Sequence, residues 1–445
     1  MNLKRSHSPL LAVASALCCL VLGLGAPQIA LAQTSTTDII CGKTAQTRGT
    51  AETDLPDIEA AEATVISKDG TVYYGRDADK EVKIASITKV MTAILTLENA
   101  KDAEVITVSE DAAAVGESTA GLETGDKLTV AQALRGLMIP SGNDAAIALA
   151  EFVGKRIDPK TTDAQATFVK AMNKKAKELG CTSTVFENPH GLDFDEWAGN
   201  MHSTAHDVAL MMQAAMKFDT FRDTIASTDS WIEVTGADGS DHSHSMDMHN
   251  YLLGENGNIG GKTGTTDDAG YCFTAAYDRD GDEIYTVVLG STSGDQRFTD
   301  TATLADWYYS HKVEVALASG ATKKTANGNP LIARVAQTDW TDKTIDATLA
   351  NPAQTITVFS LAGELSESAS YDELSGSVNK GDKVGTITYK QDGKKVAKAD
   401  LVADEEGSGP NPIEWLLVKF DRLTRRIDNK PLTAESETVA AAPAV

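Results

Sequence analysis

The stretch Ser86-Ile87-Thr88-Lys89 stands at the head of an apolar run that continues through Leu97. Val90, Ile94 and Leu97 recur at helical spacing, which predicts a buried helix beginning near Ser86. Residues three apart on a helix share a face, so the Ser86 hydroxyl and the Lys89 amine should point the same way. A serine hydroxyl becomes a nucleophile when a base takes its proton, and a buried neutral lysine can be that base. Alone the spacing is weak evidence, because a capping serine followed by a solvated lysine gives the same pattern.

Two further motifs strengthen the interpretation. Ser141-Gly142-Asn143 follows a predicted helix over 130–138, and Lys262-Thr263-Gly264 directly precedes a run typical of a strand. Ser-x-x-Lys, a Ser-x-Asn triplet and Lys-Thr-Gly together form the signature of penicillin-binding proteins and class A β-lactamases. The three motifs in this order therefore predict a serine enzyme that works through an acyl intermediate.

Composition narrows the range of partners. The chain has 445 residues and a formal net charge of −24, which argues against nucleic acid as a partner because phosphate binding needs a basic surface. Its length allows two or three domains. No residue spacing indicates a metal site, and no cofactor is predicted.

The N-terminus has the pattern of a secretory signal over residues 1–32. Lys4 and Arg5 precede an apolar run, and Ala30-Leu31-Ala32 is a small-x-small cleavage site, so Gln33 is the expected first residue of the mature protein. We therefore expect an extracytoplasmic protein. Residues 33–56 are polar and rich in Thr and Ala, and are predicted to be a flexible leader.

Three cysteines remain beyond the signal: Cys41, Cys181 and Cys272. An odd count outside the cytoplasm leaves at least one free thiol or an intermolecular pair. Cys272 lies in an apolar strand pattern and is expected to be a small core residue. A disulfide between Cys41 and Cys181 stays open.

The pattern over 57–318 predicts an α+β domain. Residues 63–67 and 71–74 indicate one hairpin, and residues 271–277 and 284–289 indicate another around Asp280-Gly281. Helical patterns lie between and after them, so helices should pack on an antiparallel sheet. From about residue 330 helical periods vanish, and residues 330–404 are predicted to form a small β-sandwich-like domain.

The C-terminal segment predicts an amphipathic helix over residues 411–428. Pro412 suits a first helical turn, and Ile413, Leu416, Leu417, Phe420, Leu423 and Ile427 fall on one face. Lys419, Arg422, Arg425 and Arg426 lie opposite or beside that face. A basic amphipathic helix on an acidic protein is typical of a membrane-surface anchor, although docking on its own domain is the alternative. Residues 429–445 are predicted to be disordered.

Four histidines deserve separate interpretation. His190 is expected to be structural and not a catalytic base. His242, His244 and His249 form a cluster whose spacing lacks a helix and a carboxylate partner, so we interpret them as loop residues and not as metal ligands.

On the basis of these motifs, the chain resembles the low-molecular-mass penicillin-binding proteins that act as D-alanyl-D-alanine carboxypeptidases, peptidase family S11. The likeness covers most of residues 60–428. It includes Asn188-Pro189-His190-Gly191-Leu192 and Ala269-Gly270-Tyr271 besides the three motifs. The resemblance implies a β-lactamase/transpeptidase-like catalytic domain, followed by the β domain and the terminal helix.

The resemblance also implies catalytic roles. Ser86 would attack the carbonyl between two D-alanines, with Lys89 as base. Ser141 would relay a proton to the leaving D-alanine, and Lys262 would keep Lys89 deprotonated by like-charge repulsion while orienting Ser141.

Substrate-binding residues follow from the same resemblance. Asn143 would bind the peptide side of the substrate, and Thr263, with Arg297, would hold its terminal carboxylate. Gly264 belongs to the same binding edge. The backbone amides of Ser86 and Thr265 would form the oxyanion hole.

The expected partners are peptidoglycan stem peptides, β-lactam antibiotics and a membrane surface. D,D-endopeptidase action on cross-links remains open, as does a penicillin-binding scaffold without turnover. A class A β-lactamase is disfavoured, because Phe186-Glu187-Asn188-Pro189 lacks the Glu-x-x-Leu-Asn form of the deacylating loop. The preferred cross-link and the oligomeric state are not encoded in these motifs.

Overall fold

The structure is a computed structural model that describes residues 37–445, so the predicted signal lies outside the described residues. Its helices are α1 Ala45–Arg48, α2 Lys89–Asn99, α3 Glu110–Ala114, α4 Val130–Met138, α5 Asn143–Ile157, α6 Ala164–Glu178, α7 Ala205–Ala215, α8 Asp219–Ile225, α9 Gln296–Ser310 and α10 Pro412–Ile427. Its strands are β1 Ile39–Ile40, β2 Lys43–Thr44, β3 Glu62–Ser67, β4 Val72–Arg76, β5 Val105–Thr107, β6 Lys127–Thr129, β7 Trp231–Thr235, β8 Asp241–Ser245, β9 Asn258–Thr266, β10 Gly270–Arg279, β11 Asp282–Ser291, β12 Lys312–Ala316, β13 Ala333–Ala336, β14 Thr344–Leu349, β15 Thr355–Phe359, β16 Leu365–Tyr371, β17 Lys383–Gln391, β18 Lys394–Ala403 and β19 Glu437–Thr438.

An antiparallel sheet of order β2-β1-β4-β3-β11-β10-β9 forms the centre of the catalytic domain. Both predicted hairpins are present as β3–β4 and β10–β11. Successive residues of one strand enter different cores: Val287 packs with helix α7, and Val288 packs with helix α9. The sheet is therefore buried on both faces, which explains the nearly continuous apolar runs in its strands.

The helical part of this domain lies on the α7 side of the sheet. Helix α2 is buried from Lys89 to Thr96, because α4, α5, α6 and α7 surround it. A second sheet of order β5-β6-β7-β8 lies at the edge of this helical part. The α+β class predicted from the sequence is confirmed.

The predicted flexible leader is wrong from residue 37 onward. Strand β1 pairs with β4, and the Ile40 side chain is fully buried. The buried Asp38 carboxylate accepts hydrogen bonds from the Tyr74 hydroxyl at 2.6 Å and from Arg76 Nη2 at 3.1 Å. A two-residue strand is too short to show an alternation of apolar and polar residues in the sequence. Strand β1 is held in place because it pairs with the edge strand β4.

The β domain contains a six-stranded sheet of order β16-β17-β18-β14-β13-β19 and a two-stranded sheet of β12 and β15. The predicted catalytic domain of 57–318 reaches too far. Residues 312–316 form β12, whose partner β15 belongs to the β domain. The boundary therefore falls at the end of α9, where the chain leaves the helix at Ser310.

The predicted disordered tail is also wrong. Within 429–445, strand β19 pairs with β13 through Glu437 and Thr438, and the Ala440 side chain is buried. The tail thus covers the outer edge of the six-stranded sheet, a long-range contact without a local sequence signal.

Helix α10 has a capping box in which Asn411 and Glu414 bond each other's backbone amides, with Pro412 in the first turn. Val418 is buried and Arg422 donates to the Thr338 and Trp340 carbonyls, so the side of the helix that carries these two residues contacts the β domain. Among residues 37–445, no helix combines the length and the apolar character that a bilayer crossing requires.

Candidate active site

Ser86 lies in a tight 3₁₀ turn, Ala85–Thr88, and helix α2 begins three residues later at Lys89. Ala85 has φ +47°, in the left-handed region. A Cβ at Gly191 would lie 2.0 Å from the Ala85 carbonyl oxygen, and a Cβ at Gly264 would lie 3.2 Å from the Ser86 amide nitrogen. Two glycines from separate segments therefore let the backbone pack closely around Ser86.

The Lys89 amine is the centre of the hydrogen-bond network. Its Nζ lies 2.8 Å from Ser86 Oγ, 2.7 Å from Asn143 Oδ1 and 2.8 Å from the His190 carbonyl oxygen. The side chain is fully buried. Serine and lysine thus meet on one face at a distance that allows direct proton transfer.

Burial lowers the pKa of Lys89 to about 7, against a partial opposing effect of the nearby Asp144 carboxylate. Burial also lowers the pKa of Lys262 well below its ordinary value, and the charges of Lys89 and Arg297 lower it further. Desolvation is the largest cause at both lysines, and the like charge of Lys89 adds to it at Lys262. The implied role of Lys262 in keeping Lys89 deprotonated stays a prediction.

Lys262 lies on β9 and is almost fully buried. Its Nζ donates to Ser141 Oγ at 2.8 Å and to the Thr263 carbonyl at 2.7 Å. Ser141 has φ +63°, the conformation that turns the chain from α4 into α5. The predicted pairing of Lys262 with Ser141 is present in the structure.

Asn143 is the first residue of α5 and is 1 % exposed. Its Oδ1 accepts from Lys89, and its Nδ2 donates to the Gly116 carbonyl at 3.0 Å. Both ends of the amide therefore hold the site together, a structural task beyond the substrate contact that the resemblance implies.

A cavity of about 220 Å³ opens beside the nucleophile. Thr263, Gly264, Thr265 and Arg297 line it together with Ser86 and Ser141. Arg297, on α9, donates from Nη1 to Thr265 Oγ1 at 2.8 Å. The nine residues predicted for the site, four catalytic and five substrate-binding, thus lie together. Six of them line the cavity, and Lys89, Asn143 and Lys262 are buried behind its wall.

Other residues of the site carry no motif in the sequence. The Asp144 carboxylate accepts hydrogen bonds from the backbone amides of Ala120 and Leu122, at 2.9 and 3.1 Å. It therefore fixes the loop between α3 and β6. Ser118, His249 and Tyr251 also line the cavity. Only Asp144 had a sequence signal, its position next to Asn143.

His190 has a structural role in its side chain, as predicted. Its Nδ1 accepts from the Leu192 amide at 3.2 Å, and burial lowers its pKa to about 3, so the ring is neutral. Its backbone carbonyl accepts a hydrogen bond from Lys89, a contact that the sequence analysis did not predict.

The three cysteines Cys41, Cys181 and Cys272 are free thiols, and Cys272 is buried as expected.

A buried lysine base bonded to a serine, with a second lysine–serine pair across a cavity, defines a serine hydrolase of the acyl-enzyme class. Residues 48–293 match the family described as D-alanyl-D-alanine carboxypeptidase, and residues 338–407 match the penicillin-binding protein 5 C-terminal domain. The chain belongs to the S11 family of D-alanyl-D-alanine carboxypeptidases, and it is a serine-type carboxypeptidase.

Individual relatives agree with this assignment. The chain is 30% identical over 360 residues to D-alanyl-D-alanine carboxypeptidase DacF of Bacillus subtilis, covering 78% of this chain and 86% of that protein. It is 30% identical over 373 residues to DacC of Escherichia coli, covering 79% and 86%. The crystal structure of the Streptomyces K15 DD-transpeptidase is similar with a TM-score of 0.53 at 32% identity, covering 57% of this chain and 98% of that one.

Proposed function

We propose that this enzyme removes the terminal D-alanine from peptidoglycan pentapeptides through an acyl-enzyme on Ser86. The observation that carries the proposal is the buried Lys89 amine 2.8 Å from Ser86 Oγ, with its pKa lowered to about 7. A lysine in this state accepts a proton at neutral pH, and serine then attacks a carbonyl.

Acylation uses both lysine–serine pairs. Ser86 Oγ attacks the carbonyl between the two D-alanines while its proton passes to Lys89 Nζ. The resulting oxyanion faces the backbone amides at Ser86 and Thr265. As the C–N bond breaks, the Ser141 hydroxyl gives its proton to the departing D-alanine nitrogen and takes one from Lys262.

Substrate binding uses the cationic end of the cavity. The terminal carboxylate of the substrate binds Thr263 and Arg297, and its negative charge favours the protonated form of Lys262. After D-alanine departs, Lys89 gives the proton it took from Ser86 to solvent, and Lys262 regains a proton from solvent. Water then attacks the acyl-enzyme, Lys89 takes the proton of the water, and it passes that proton to Ser86 Oγ as this oxygen leaves the acyl carbon. The shortened peptide is released and the enzyme returns to its starting state.

Release of D-alanine from a muramyl pentapeptide tests this activity. The wild-type chain should release D-alanine, Ser86→Ala should release none, and penicillin should add a covalent mass to Ser86 in the wild type alone. A label on Ser86 without D-alanine release would support the non-catalytic scaffold. Cleavage of a cross-linked dimer in preference to the pentapeptide would support the endopeptidase.

The exposed face of α10 supports a second proposal, attachment to a membrane surface. Its apolar side chains are 56–76 % exposed: Ile413, Leu416, Leu417, Phe420, Leu423 and Ile427. The helix contacts the β domain by its other side, through Val418 and Arg422, so docking leaves the apolar face free. Lys419 and Arg426 add the positive charge that anionic lipids attract.

Cosedimentation with phosphatidylglycerol–phosphatidylcholine vesicles tests the attachment. Leu416→Glu and Phe420→Glu should release the protein into the supernatant. Val396→Glu is the matched control, since Val396 is an exposed apolar side chain that belongs to strand β18 and not to the helix. Equal sedimentation of all three variants and the wild type would refute the role of α10.

The same proposal places the protein outside the cytoplasm, held peripherally at the membrane. Cleavage after Ala32 would leave Gln33 as the first residue, and the peptidoglycan substrate lies on that side of the membrane. N-terminal sequencing of the protein from its native host should begin at Gln33. A sequence beginning at Met1 would contradict the export.

A further inference from the structure

The sheet β5-β6-β7-β8 brings together three side chains that the function above does not use. His242 and His244 alternate on β8, so both lie on one face of the sheet. Asp126 immediately precedes β6 and comes from a segment more than a hundred residues earlier in the chain. The carboxylate partner absent from the local sequence of the two histidines is therefore supplied by the fold.

The three side chains converge as ligands do. His242 Nε2 lies 3.9 Å from one oxygen of Asp126, and His244 Nε2 lies 3.7 Å from the other. One donor atom from each residue lies within 4.8 Å of the other two. Ligand atoms of a tetrahedral zinc ion are about 3.3–3.4 Å apart. The two histidine–aspartate distances exceed this spacing by about 0.3–0.6 Å, and the widest donor separation exceeds it by at most about 1.5 Å, so side-chain rotation would close the site.

These distances are too long for hydrogen bonds. His244 Nε2 is buried and has no hydrogen-bond partner in the part of the chain that the structure describes. The Asp126 side chain is 2 % exposed, and its Oδ2 accepts from the Glu123 amide at 2.8 Å, which fixes the carboxylate. A buried carboxylate and a buried imidazole nitrogen without a hydrogen bond therefore face each other across 3.7 Å, and such buried polar atoms call for a partner.

Space around the rings is also kept open. A Cβ at Gly121, where φ is +78°, would lie 3.1 Å from His244 Nδ1, and a Cβ at Gly236 would lie 3.2 Å from His242 Cε1. Glycines at both positions let the rings sit with Nε2 directed at Asp126. Aspartate is a hard ligand and histidine suits zinc, nickel and copper, so the donor set favours a divalent transition metal and disfavours magnesium or calcium.

We propose that Asp126, His242 and His244 bind one divalent transition-metal ion, zinc being the probe of choice, with a fourth position open to water. The ion joins the β7–β8 hairpin to the turn before β6. From β8 the chain continues to His249 and Tyr251, which line the active-site cavity. The ion thus fixes the start of the segment that forms one wall of that cavity.

Zinc titration of the untagged, EDTA-treated full chain tests the site, by calorimetry and by thermal unfolding. The wild type should bind one zinc ion and unfold at a higher temperature with zinc present. His242→Ala, at a half-exposed position, and Asp126→Asn should each weaken zinc binding by about tenfold or more. Neither measurement depends on D-alanine release. A negative result for zinc would therefore leave the proposed activity untouched, and the reverse also holds.

His206→Ala is the matched control. His206 also faces a carboxylate, with its Nδ1 3.2 Å from Asp79, and its side chain is as exposed as that of His242, 36 % against 35 %. Among the described residues it lacks a second histidine, so it cannot complete a three-ligand set. Its removal should leave zinc affinity unchanged. If zinc binds wild type, His242→Ala and Asp126→Asn equally, or does not bind the wild type one to one, the cluster is an ion pair of histidine with aspartate and the metal site is refuted.

Discussion

The protonation state of Lys89 predicts how acylation by a β-lactam depends on pH. The neutral amine is the active base, and burial lowers its pKa to about 7. The acylation rate constant should therefore rise with pH through about 7 and level off above it. At pH 6 about one-tenth of the enzyme would carry the neutral amine, and below that the rate should fall about tenfold per pH unit.

Lys262→Met separates the two causes that could lower this pKa. If desolvation dominates, the acid limb of the profile keeps its midpoint near pH 7, because the Lys89 side chain stays fully buried. The plateau should still fall by about ten- to hundredfold, since Ser141 loses the amine donor that lies 2.8 Å from its hydroxyl. If repulsion by Lys262 dominates, its removal raises the pKa of Lys89 and the limb moves to higher pH.

Stopped-flow acylation by a chromogenic cephalosporin from pH 5 to 9 measures both quantities at once. Far-ultraviolet circular dichroism at each pH confirms that the variant stays folded. A shift of the acid limb by one pH unit or more in Lys262→Met would refute the argument from burial. A wild-type profile without a limb near pH 7 would refute the assignment of Lys89 as base.

Three further predictions address other parts of the molecule. Arg297→Leu should reduce kcat/KM for a peptide ending in a free carboxylate by about ten- to hundredfold, and much less for the C-terminal amide, in a D-alanine release assay. Gly191→Ala should lower the free energy of unfolding by about 3 kcal/mol or more, because its Cβ would collide with Ala85, whereas Gly393→Ala, with open space around it, should cost about 1–2 kcal/mol in the same denaturant titration. Ile40→Ala should cost about 2–5 kcal/mol by denaturation, and a loss under about 0.5 kcal/mol would mean that the N-terminal segment does not pack on β4.

The chemistry of the site was predictable because it is carried by short local motifs. Ser86 and Lys89 lie on one turn. The order of the two later motifs predicts, from sequence alone, that Ser141 and Lys262 act together with them. What joins the motifs was not predictable in this way. The His190 carbonyl on Lys89 and the Asp144 carboxylate on the 120–122 loop are contacts between segments that lie far apart in the chain, and no local spacing predicts either contact.

Errors in the predicted organisation share one physical origin. Residues 37–56 and 429–445 are polar and lack helical or strand periods, which is typical of disorder. Both are nevertheless ordered, because each offers a two-residue strand to the exposed edge of a sheet, β4 in one case and β13 in the other. Edge pairing takes its hydrogen bonds from the backbone, so composition gives no warning of it.

Dependence on strand pairing also explains why the sequence analysis did not predict the proposed metal ligands. The sequence predicts His242 and His244 to be loop residues without a carboxylate partner, and the structure instead places both on strand β8. Asp126 reaches them because β6 pairs with β7, and the register of that pairing consists of one residue pair, Lys127 opposite Thr235. A ligand set divided between a local pair and one distant residue is recognisable only when strand order is known. The zinc titration is therefore also a test of strand order, since a displaced β6 would carry Asp126 away from both histidines.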